Sequence, residues 1–331
     1  MRTPRFWYDQ KLSILSLLLT PVSWIYGLIH AILLGSAKPW QSPIPVLCVG
    51  NLTVGGHGKT PTALSICHIL KSYNKSVHFI SRGYKGSLNG PILVNLTSHT
   101  AVEVGDEPLL LSKVAPTWVS ANREAGIRLA HKMGAEIIIM DDGFQNQSIK
   151  KDLSIVVIDG EVGFGNGNLI PAGPLREEIN IGLSRASAVV IIGEDRKNLK
   201  STISKITIQN LKKPLKILTA HLKPDIDSTS FRKEKVLAFT GIGRPEKFFN
   251  TLIKLGYDIV VKKSFSDHHH YTEKELENLQ KMAKIKNARL ITTSKDYVRL
   301  TISQQQGISV LPVKLDWENK VALDNLLRSI I

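Results

Sequence analysis

The stretch VGNLTVGGHGKTPTALSICHIL, Val49 to Leu70, decides how this chain is read. An apolar run, Val46–Val49, ends in a glycine-rich loop, and a helical pattern follows from about Thr60 to Tyr73. Strand, glycine loop and helix N-terminus in that order make a phosphate cradle. Glycines let backbone N–H groups turn toward an anion, and the helix end adds a positive dipole. The loop departs from the pattern G-x-x-x-x-G-K-[ST] at one place: counting back from Lys59, the first glycine falls on Thr53. What remains is Gly55, Gly56, Gly58, Lys59 and Thr60. Lys59 is placed to reach the β- and γ-phosphates, and the Thr60 hydroxyl to hold Mg2+.

The second part of such a site is AEIIIMDDGFQ, Ala135–Gln145. A buried strand, Ile137–Met140, ends in Asp141 and Asp142, where a Mg2+-binding acid sits at the C-terminal edge of a parallel sheet. Further apolar runs separated by helical segments, among them SVHFIS, LSIVVIDGE and ASAVVIIGED, predict a mainly parallel sheet covered on both faces. After a Lys-rich and Ser/Thr-rich stretch, Lys197–Lys235, read as a solvated linker or face, the pattern restarts with KVLAFTGIG, a helix near Pro245–Leu255, and the strand candidates YDIVVKKSF, ARLITTSKD and ISVLPVKL. The predicted fold is α/β: a P-loop NTPase-like, mostly parallel sheet, a second, smaller α/β domain, and an N-terminal membrane-associated helical segment. The boundaries are 1–40, 41–220 and 221–331, with the smaller domain closing an ATP cleft.

Two more segments carry candidate chemistry. VEVGDEPLLLS holds Asp106 and Glu107. An acid there either caps the following helix or takes a proton from an attacking hydroxyl. SFSDHHHYTEKEL holds Asp267, His268, His269 and His270. Neighbouring side chains in a row rarely converge on one ion, so an Asp–His acid–base pair at a domain cleft competes with a metal tract.

The bulk composition narrows the partners. The chain of 331 residues carries a formal charge of +15. A basic protein meets an anionic partner, nucleic acid or acidic lipid. Aromatics are 6%, and no RNP-type, zinc-finger or KH signature is visible, which argues against nucleic acid. Cys48 and Cys67 lie in apolar runs without a CxxC and read as buried free thiols in a reducing compartment. Leu12 to Ala37 contains no Asp, Glu, Lys or Arg, and LSILSLLLTPVSWIYGLIHAILL is long enough to cross a bilayer. A signal peptide fits poorly because Pro21 splits the run. A span would put Arg2, Arg5 and Lys11 on the wrong side for the positive-inside bias. The favoured reading is a helix, or a helix pair bent at Pro21, in the cytoplasmic leaflet, with Trp7, Tyr8, Trp24, Tyr26 and Trp40 at the interface.

The ordered set GNLTVGGHGKTP, SRGYKG, GDEPLLL, DDGFQ, IPAGPLRE, SDHHHYT and TTSKDYVRL closely resembles the tetraacyldisaccharide 4'-kinases, the lipid A 4'-kinases of Gram-negative bacteria. The resemblance runs from the apolar N-terminus to about Leu300. It implies a membrane-associated, Mg2+-dependent, ATP-using kinase on the cytoplasmic face of the inner membrane, and a monomer is expected. Such an enzyme phosphorylates the 4'-hydroxyl of a tetraacylated glucosamine disaccharide 1-phosphate at an anionic membrane surface. The family's nucleotide loop maps onto Thr53, Val54, Gly55, Gly56, His57, Gly58, Lys59 and Thr60. That loop also lacks the first glycine, so Thr53 fits the family. The resemblance makes Asp106 the general base, with His268 as its assistant and His269 as an open alternative. It places Asp141, Asp142 and Glu177 near Mg2+ with Thr60. Lys295 and Asp296 match a family motif without assigned chemistry. Arg82, Lys85, Arg123 and Arg176 are candidates for the anionic sugar 1-phosphate. Two rivals stand beside this reading. One is a ParA/MinD-like membrane-associated P-loop switch ATPase, which carries a second Lys where this chain has Val54. The other is a nucleotide-binding scaffold without catalysis.

Overall fold

The structure, a computed structural model, describes residues 4–8, 13–55, 58–210, 214–225 and 234–331. A short 3-10 turn, Arg5–Trp7, precedes one long helix, α1 (Ile14–Ser36). The larger sheet begins with β1 (Val46–Gly50), followed by α2 (Lys59–Ser72), β2 (Val77–Ser81), β3 (Ile92–Leu93), α3 (Ala101–Val104), α4 (Asp106–Ser112) and β4 (Thr117–Val119). It continues through α5 (Arg123–Lys132), β5 (Ile137–Asp141), β6 (Leu153–Asp159), α6 (Ile179–Arg185), β7 (Ala188–Ile192), α7 (Leu199–Asn210) and β8 (Lys216–Pro224). The smaller sheet is built from β9 (Lys235–Thr240), α8 (Pro245–Lys254), β10 (Asp258–Ser264), α9 (Glu273–Ile285), β11 (Arg289–Thr293), α10 (Ser294–Tyr297) and β12 (Ile308–Leu311). The chain closes with β13 (Val313–Trp317) and α11 (Lys320–Arg328).

Nine strands form the larger sheet in the order β13-β8-β7-β6-β1-β5-β2-β4-β3. β1 lies between β5 and β6 and pairs in parallel with both, so the order reverses at β1. A reversal in a parallel sheet opens a crevice at the strands' C-terminal ends. Strand alternation explains the two cores. Leu47 and Val49 face Ala63, Ile66, Cys67 and Leu70 of α2. Val46 and Cys48 face the opposite layer with Ile127 of α5 and Leu183 of α6. Both cysteines are free and buried, and burial pushes each thiol up to about 12. β1 must end in glycine: a Cβ on Gly50 would lie 2.5 Å from Phe144 Cβ. That close approach brings the Asp141–Gln145 turn against the nucleotide loop.

The smaller sheet is all parallel, in the order β10-β9-β11-β12. α8 covers one face through Phe248, Phe249 and Leu252, and α9 the other through Leu276, Leu279 and Ala283. α9 starts with a capping box between Thr272 and Glu275.

Two boundaries differ from the sequence reading. ISVLPVKL is two strands in two different sheets: Pro312 separates β12 of the smaller sheet from β13, which runs antiparallel to β8 at the edge of the larger one. Residues 313–331 therefore return to the larger domain, where Trp317, Leu323 and Leu327 join its core. A proline has no N–H for a ladder, so a strand divides there. Secondly, much of the Lys-rich stretch is ordered as α7 and β8. Leu199 and Ile203 are buried in the core, so the larger domain extends to Pro224 rather than ending at 220. Of the two forms expected for the N-terminal segment, α1 takes the single helix, continuous through Pro21.

α1 is amphipathic the unusual way round. Its small polar residues face the protein. The Ser16 hydroxyl donates to Ala172 O at 2.7 Å and the Ser23 hydroxyl to Leu169 O at 2.9 Å, while Tyr26 donates to Arg176 O at 2.9 Å. A Cβ on Gly27 would meet Leu169 Cδ1 at 2.7 Å, so glycine allows the helix to lie this close. Its large apolar side chains point away, with Leu18 69% and Trp24 71% exposed. Such an apolar face normally marks an interaction surface.

Candidate active site

The nucleotide loop leaves β1 and is flanked by residues 174–176. Val54 N–H donates to Pro174 O at 2.8 Å, Arg176 N–H donates to Leu52 O at 2.7 Å, and Thr53 bridges Leu175. Thr53 is buried, and its φ is negative, whereas Gly55 and Gly58 have φ of +122° and +87°. Only the latter two positions need glycine. Gly56 and His57 lie outside the described residues. Gly58 caps α2, whose first residues are Lys59 and Thr60. Lys59 Nζ donates to Gly55 O at 3.1 Å and lies 3.6 Å from Asp142 Oδ2. Its burial holds the ammonium below its ordinary pKa, against the raising effect of Asp142.

The register pairs Val49 of β1 with Asp141 of β5, which sets Asp141 beside the loop. The Thr60 hydroxyl donates to Asp141 Oδ2 at 3.0 Å, while Asp141 Oδ1 is buried without a partner. Burial, reinforced by the charge of Asp142, pushes Asp141 up from 3.8 to about 7. Asp142 has a φ of +53°, which turns its carboxylate to Arg176 Nη1 at 2.9 Å. Its side chain is 39% exposed, and against partial desolvation Lys59 and Arg176 hold it below its ordinary value. A buried carboxylate with an orphaned oxygen beside a threonine hydroxyl fits a hard divalent cation.

Glu177, expected among the metal ligands, is placed differently. It is fully buried, Gln145 Nε2 donates to one oxygen at 3.0 Å and Arg185 pairs with the other. Arg185 stacks over the Phe144 ring at 4.6 Å, and Gln145 also donates to Asn51 O at 2.8 Å. Glu177 thus braces the acidic turn against the nucleotide loop, with each oxygen already engaged by a side chain. Arg176 is likewise engaged, by Asp142 and by Gln145 Oε1 at 3.2 Å. Between Arg176 and α1 lies a cavity of about 360 Å³, lined by Tyr26, His30, Leu33, Gln145 and Ile170.

Across the crevice, Gly105 has a φ of +88°, and a Cβ there would sit 2.7 Å from Tyr84 O. This glycine delivers Asp106 as the first residue of α4. Asp106 makes no side-chain cap; it is buried and turned toward the smaller domain instead. His268 Nδ1 lies 2.7 Å from Asp106 Oδ2, and Arg299 Nε donates to the same oxygen at 2.8 Å. Asp106 lies 162 positions before His268 and 193 before Arg299. His268 has a φ of +61° and donates its backbone N–H to Gly241 O at 3.1 Å, with Tyr84 edge-on to its ring. Burial opposes ionisation of Asp106, but the hydrogen bond from His268 and the Arg299 charge outweigh it and hold the carboxyl well below its usual range. Beside it, Glu107 pairs with Lys295 Nζ at 2.8 Å. His269 turns away: its Nε2 lies 3.0 Å from Glu275 Oε2, and its ring stacks on Phe265. The structure therefore selects His268 over His269 as the partner of Asp106.

The two halves communicate. α4 packs against α2, the helix opened by Lys59 and Thr60, so the Glu107 charge acts on Lys59 and Asp141. Arg82 and Lys85 are exposed on the loop after β2, with Lys85 Nζ 5.9 Å from the Tyr84 ring centroid. Arg123 opens α5 and is buried, its Nε without a partner, and burial with the nearby Arg82 charge lowers it to about 10. A second cross-domain cluster joins Asp159, at the end of β6, to Arg244 at 2.9 Å and Lys247 at 2.7 Å. Arg299, Lys295 and Asp159 went unassigned from sequence, and Glu107 was read only beside Asp106 as a helix cap or base. The signal for the first two lay in TTSKDYVRL, whose cations are four residues apart.

A strand–loop–helix phosphate cradle, an acidic β5 edge and an Asp–His pair formed across to a second α/β domain define a P-loop kinase. The family model for tetraacyldisaccharide-1-P 4'-kinase matches residues 15–331, and this chain belongs to that family. It is 44% identical to the tetraacyldisaccharide 4'-kinase of Rhodospirillum centenum, over 100% of this chain and 97% of that protein. It is 46% identical to that of Paramagnetospirillum magneticum, over 96% and 95%. The crystal structure of LpxK from Aquifex aeolicus in complex with ATP matches with a TM-score of 0.76 and 27% identity, covering 96% of this chain and 99% of that one. The chain is thus an ATP-using kinase, and the switch ATPase and the non-catalytic scaffold fall away as readings.

Proposed function

We propose that this enzyme transfers the γ-phosphate of ATP to the 4'-hydroxyl of a tetraacyldisaccharide 1-phosphate, with Asp106 as general base. The observation that carries the reading is the Asp106 carboxylate: two donors hold Oδ2, and Oδ1 accepts no hydrogen bond among the described residues. Oδ1 is the oxygen that takes the proton of the sugar hydroxyl. The hydroxyl oxygen bonds to the γ-phosphorus, the bond to the β–γ bridging oxygen breaks, and ADP leaves with that electron pair. Asp106 then returns its proton to solvent.

Lys59, at the start of α2 with the backbone of Gly55 and Gly58, offsets the charge on the transferred group. Thr60 and Asp141 are the residues that would hold Mg2+, and Asp142 lies beside them, held by Arg176. The ion would supply charge neutralisation on the phosphates. Arg123, with its unpartnered Nε, and Arg82 beside it suit the sugar 1-phosphate, with Lys85 further out on the same loop.

The exposed apolar face of α1 supports a monotopic position in the cytoplasmic leaflet of the inner membrane, with the basic surface toward anionic lipid. The cavity between α1 and Arg176 lies where a bilayer lipid would reach the site. Both halves of the site come from one chain, which supports a monomer. The test is transfer of label from γ-labelled ATP to the lipid disaccharide. Asp106→Asn is expected to lower kcat by about 10³-fold, within the range for a positioned base, and to leave ATP affinity unchanged. Unimpaired turnover in that variant would remove Asp106 as base.

A further inference from the structure

The TTSKDYVRL segment carries chemistry that the proposed mechanism has not used. Asp296 is fully buried and accepts from the Thr240 hydroxyl at 2.6 Å, Gly241 N–H at 2.8 Å, the Tyr271 hydroxyl at 2.8 Å and the Thr293 hydroxyl at 2.6 Å. Arg299 stands on this platform, its Nη1 donating to Asp296 Oδ1 at 2.8 Å and to Gly241 O at 2.9 Å. From there it crosses to the larger domain and holds Asp106 Oδ2. One turn earlier, Lys295 Nζ lies 2.8 Å from Glu107 Oε1 and 3.2 Å from His268 Nε2. Two cations spaced four apart on the smaller domain thus meet two adjacent carboxylates at the start of α4.

Lys295 has a further consequence. An ammonium only donates, so His268 Nε2 is the acceptor, and the ring proton sits on Nδ1, which donates to Asp106 Oδ2. With Arg299 also on Oδ2, the lone pairs of Oδ1 face the hydroxyl. We propose that Lys295 and Arg299 are positioning residues that assemble the base: Arg299 orients Asp106 and Lys295 sets the His268 tautomer. Both act from the smaller domain, so Asp106 is a competent base only while the two domains are joined. The proposal rests on Asp106 being the base.

The groups facing the His268 ring are Asp106 and Glu107 from α4, Lys295 from α10, Arg299 just beyond it, Tyr84 from the loop after β2, and Asp267, whose Oδ2 is 3.9 Å from Nε2. With Lys295 gone, Asp267 is the nearest partner for Nε2 and draws a proton there.

The experiment uses the full-length enzyme in detergent with three variants: Lys295→Met, Arg299→Lys and Asp106→Asn. Arg299→Lys keeps the buried charge, and so the fold, while removing the fork. Steady-state kinetics with lipid and ATP, ATP-binding titrations and long-range ¹H–¹⁵N spectra of ¹⁵N-histidine-labelled protein are recorded. Wild type is expected to show His268 protonated on Nδ1 with an unprotonated Nε2, and Lys295→Met to show a protonated Nε2. Both cation variants are expected to lose about 10²-fold in kcat, part of what a positioned base contributes, with ATP affinity within about twofold of wild type. A wild-type His268 protonated on Nε2 alone, or a Lys295→Met enzyme with full kcat, overturns the inference. Asp106→Asn separates the failures. If it retains turnover, the base reading itself falls; if it is inactive while Lys295→Met and Arg299→Lys keep full kcat, only the positioning role falls.

Discussion

The carboxyl of Asp141 makes the metal-free enzyme less stable than it would be without it, and the sign can be read from its surroundings. The group is 4% exposed, one oxygen has no partner, and its pKa rises from 3.8 to about 7. For an acid raised on folding, the unfolded chain ionises first. Below about pH 4 both states hold the proton and no penalty exists. Between about pH 4 and 7 the unfolded state releases its proton while the folded state keeps it, so stability falls as pH rises. Above about pH 7 the loss is complete. The distance from 3.8 to about 7 corresponds to roughly 4 kcal/mol at full strength. Asp141→Asn keeps the shape and removes the charge, so it is expected to raise the melting temperature of the metal-free protein at pH 8. Even half the full energy gives about 5 °C for a domain of this size. At pH 5 the two proteins should melt much closer together. Mg2+ should reverse the order at pH 8 by stabilising the wild type alone, and its affinity should climb as pH rises through 7. Scanning fluorimetry across pH 5–8, with and without Mg2+, measures all of this. Equal melting temperatures for the two metal-free proteins at pH 8, with parallel pH profiles, would refute the assignment of Asp141 as an uncompensated buried acid.

Two further perturbations test other parts of the structure. Gly58→Ala places a side chain at a φ of +87° and within 3.3 Å of Ile192, so it should cost about 1–2 kcal/mol and weaken ATP binding at least tenfold by calorimetry, with the lipid KM little changed. Replacing Leu18, Ile25 and Ile29 on the exposed face of α1 with Gln removes apolar contact but no intramolecular packing; it should release the enzyme from anionic vesicles in flotation assays and leave its melting temperature within about 2 °C of wild type.

The elements that sequence made legible are local ones. The strand at Val46–Val49, the glycine loop and the helix after it are contiguous, and their periodicities do not depend on distant partners. Asp141 and Asp142 announced themselves by ending an apolar strand. Asp106 was ambiguous between helix cap and base, and tertiary structure removes the cap: Gly105 turns the carboxylate away from the helix N-terminus and toward His268. His268 and His269 are indistinguishable in a run of three. What separates them is the left-handed backbone at His268 and the Glu275 capping box that engages His269. Glu177 was matched to a metal because the motif carries an acid there, whereas the fold engages both its oxygens with Gln145 and Arg185. Arg299 was missed because its partner lies 193 positions earlier, and a cation between Val298 and Leu300 gives no sign in sequence that its own side chain is buried against a distant carboxylate. The split at Pro312 was missed because one short apolar run gives no sign that its halves serve two sheets.

That split has a consequence for how the chain is put together. β8 leaves the larger sheet at Pro224, β13 rejoins it at Val313, and the antiparallel register sets those two residues opposite each other. The smaller domain is therefore an insert with its entrance and exit side by side. Joining Pro224 to Val313 through a short turn would convert β8 and β13 into a hairpin and leave every strand of the larger sheet in place. Such a shortened chain would keep the phosphate cradle and lose His268, Lys295 and Arg299 together. On the proposed mechanism it would be a nucleotide binder that keeps Asp106 but lacks every side chain that orients it.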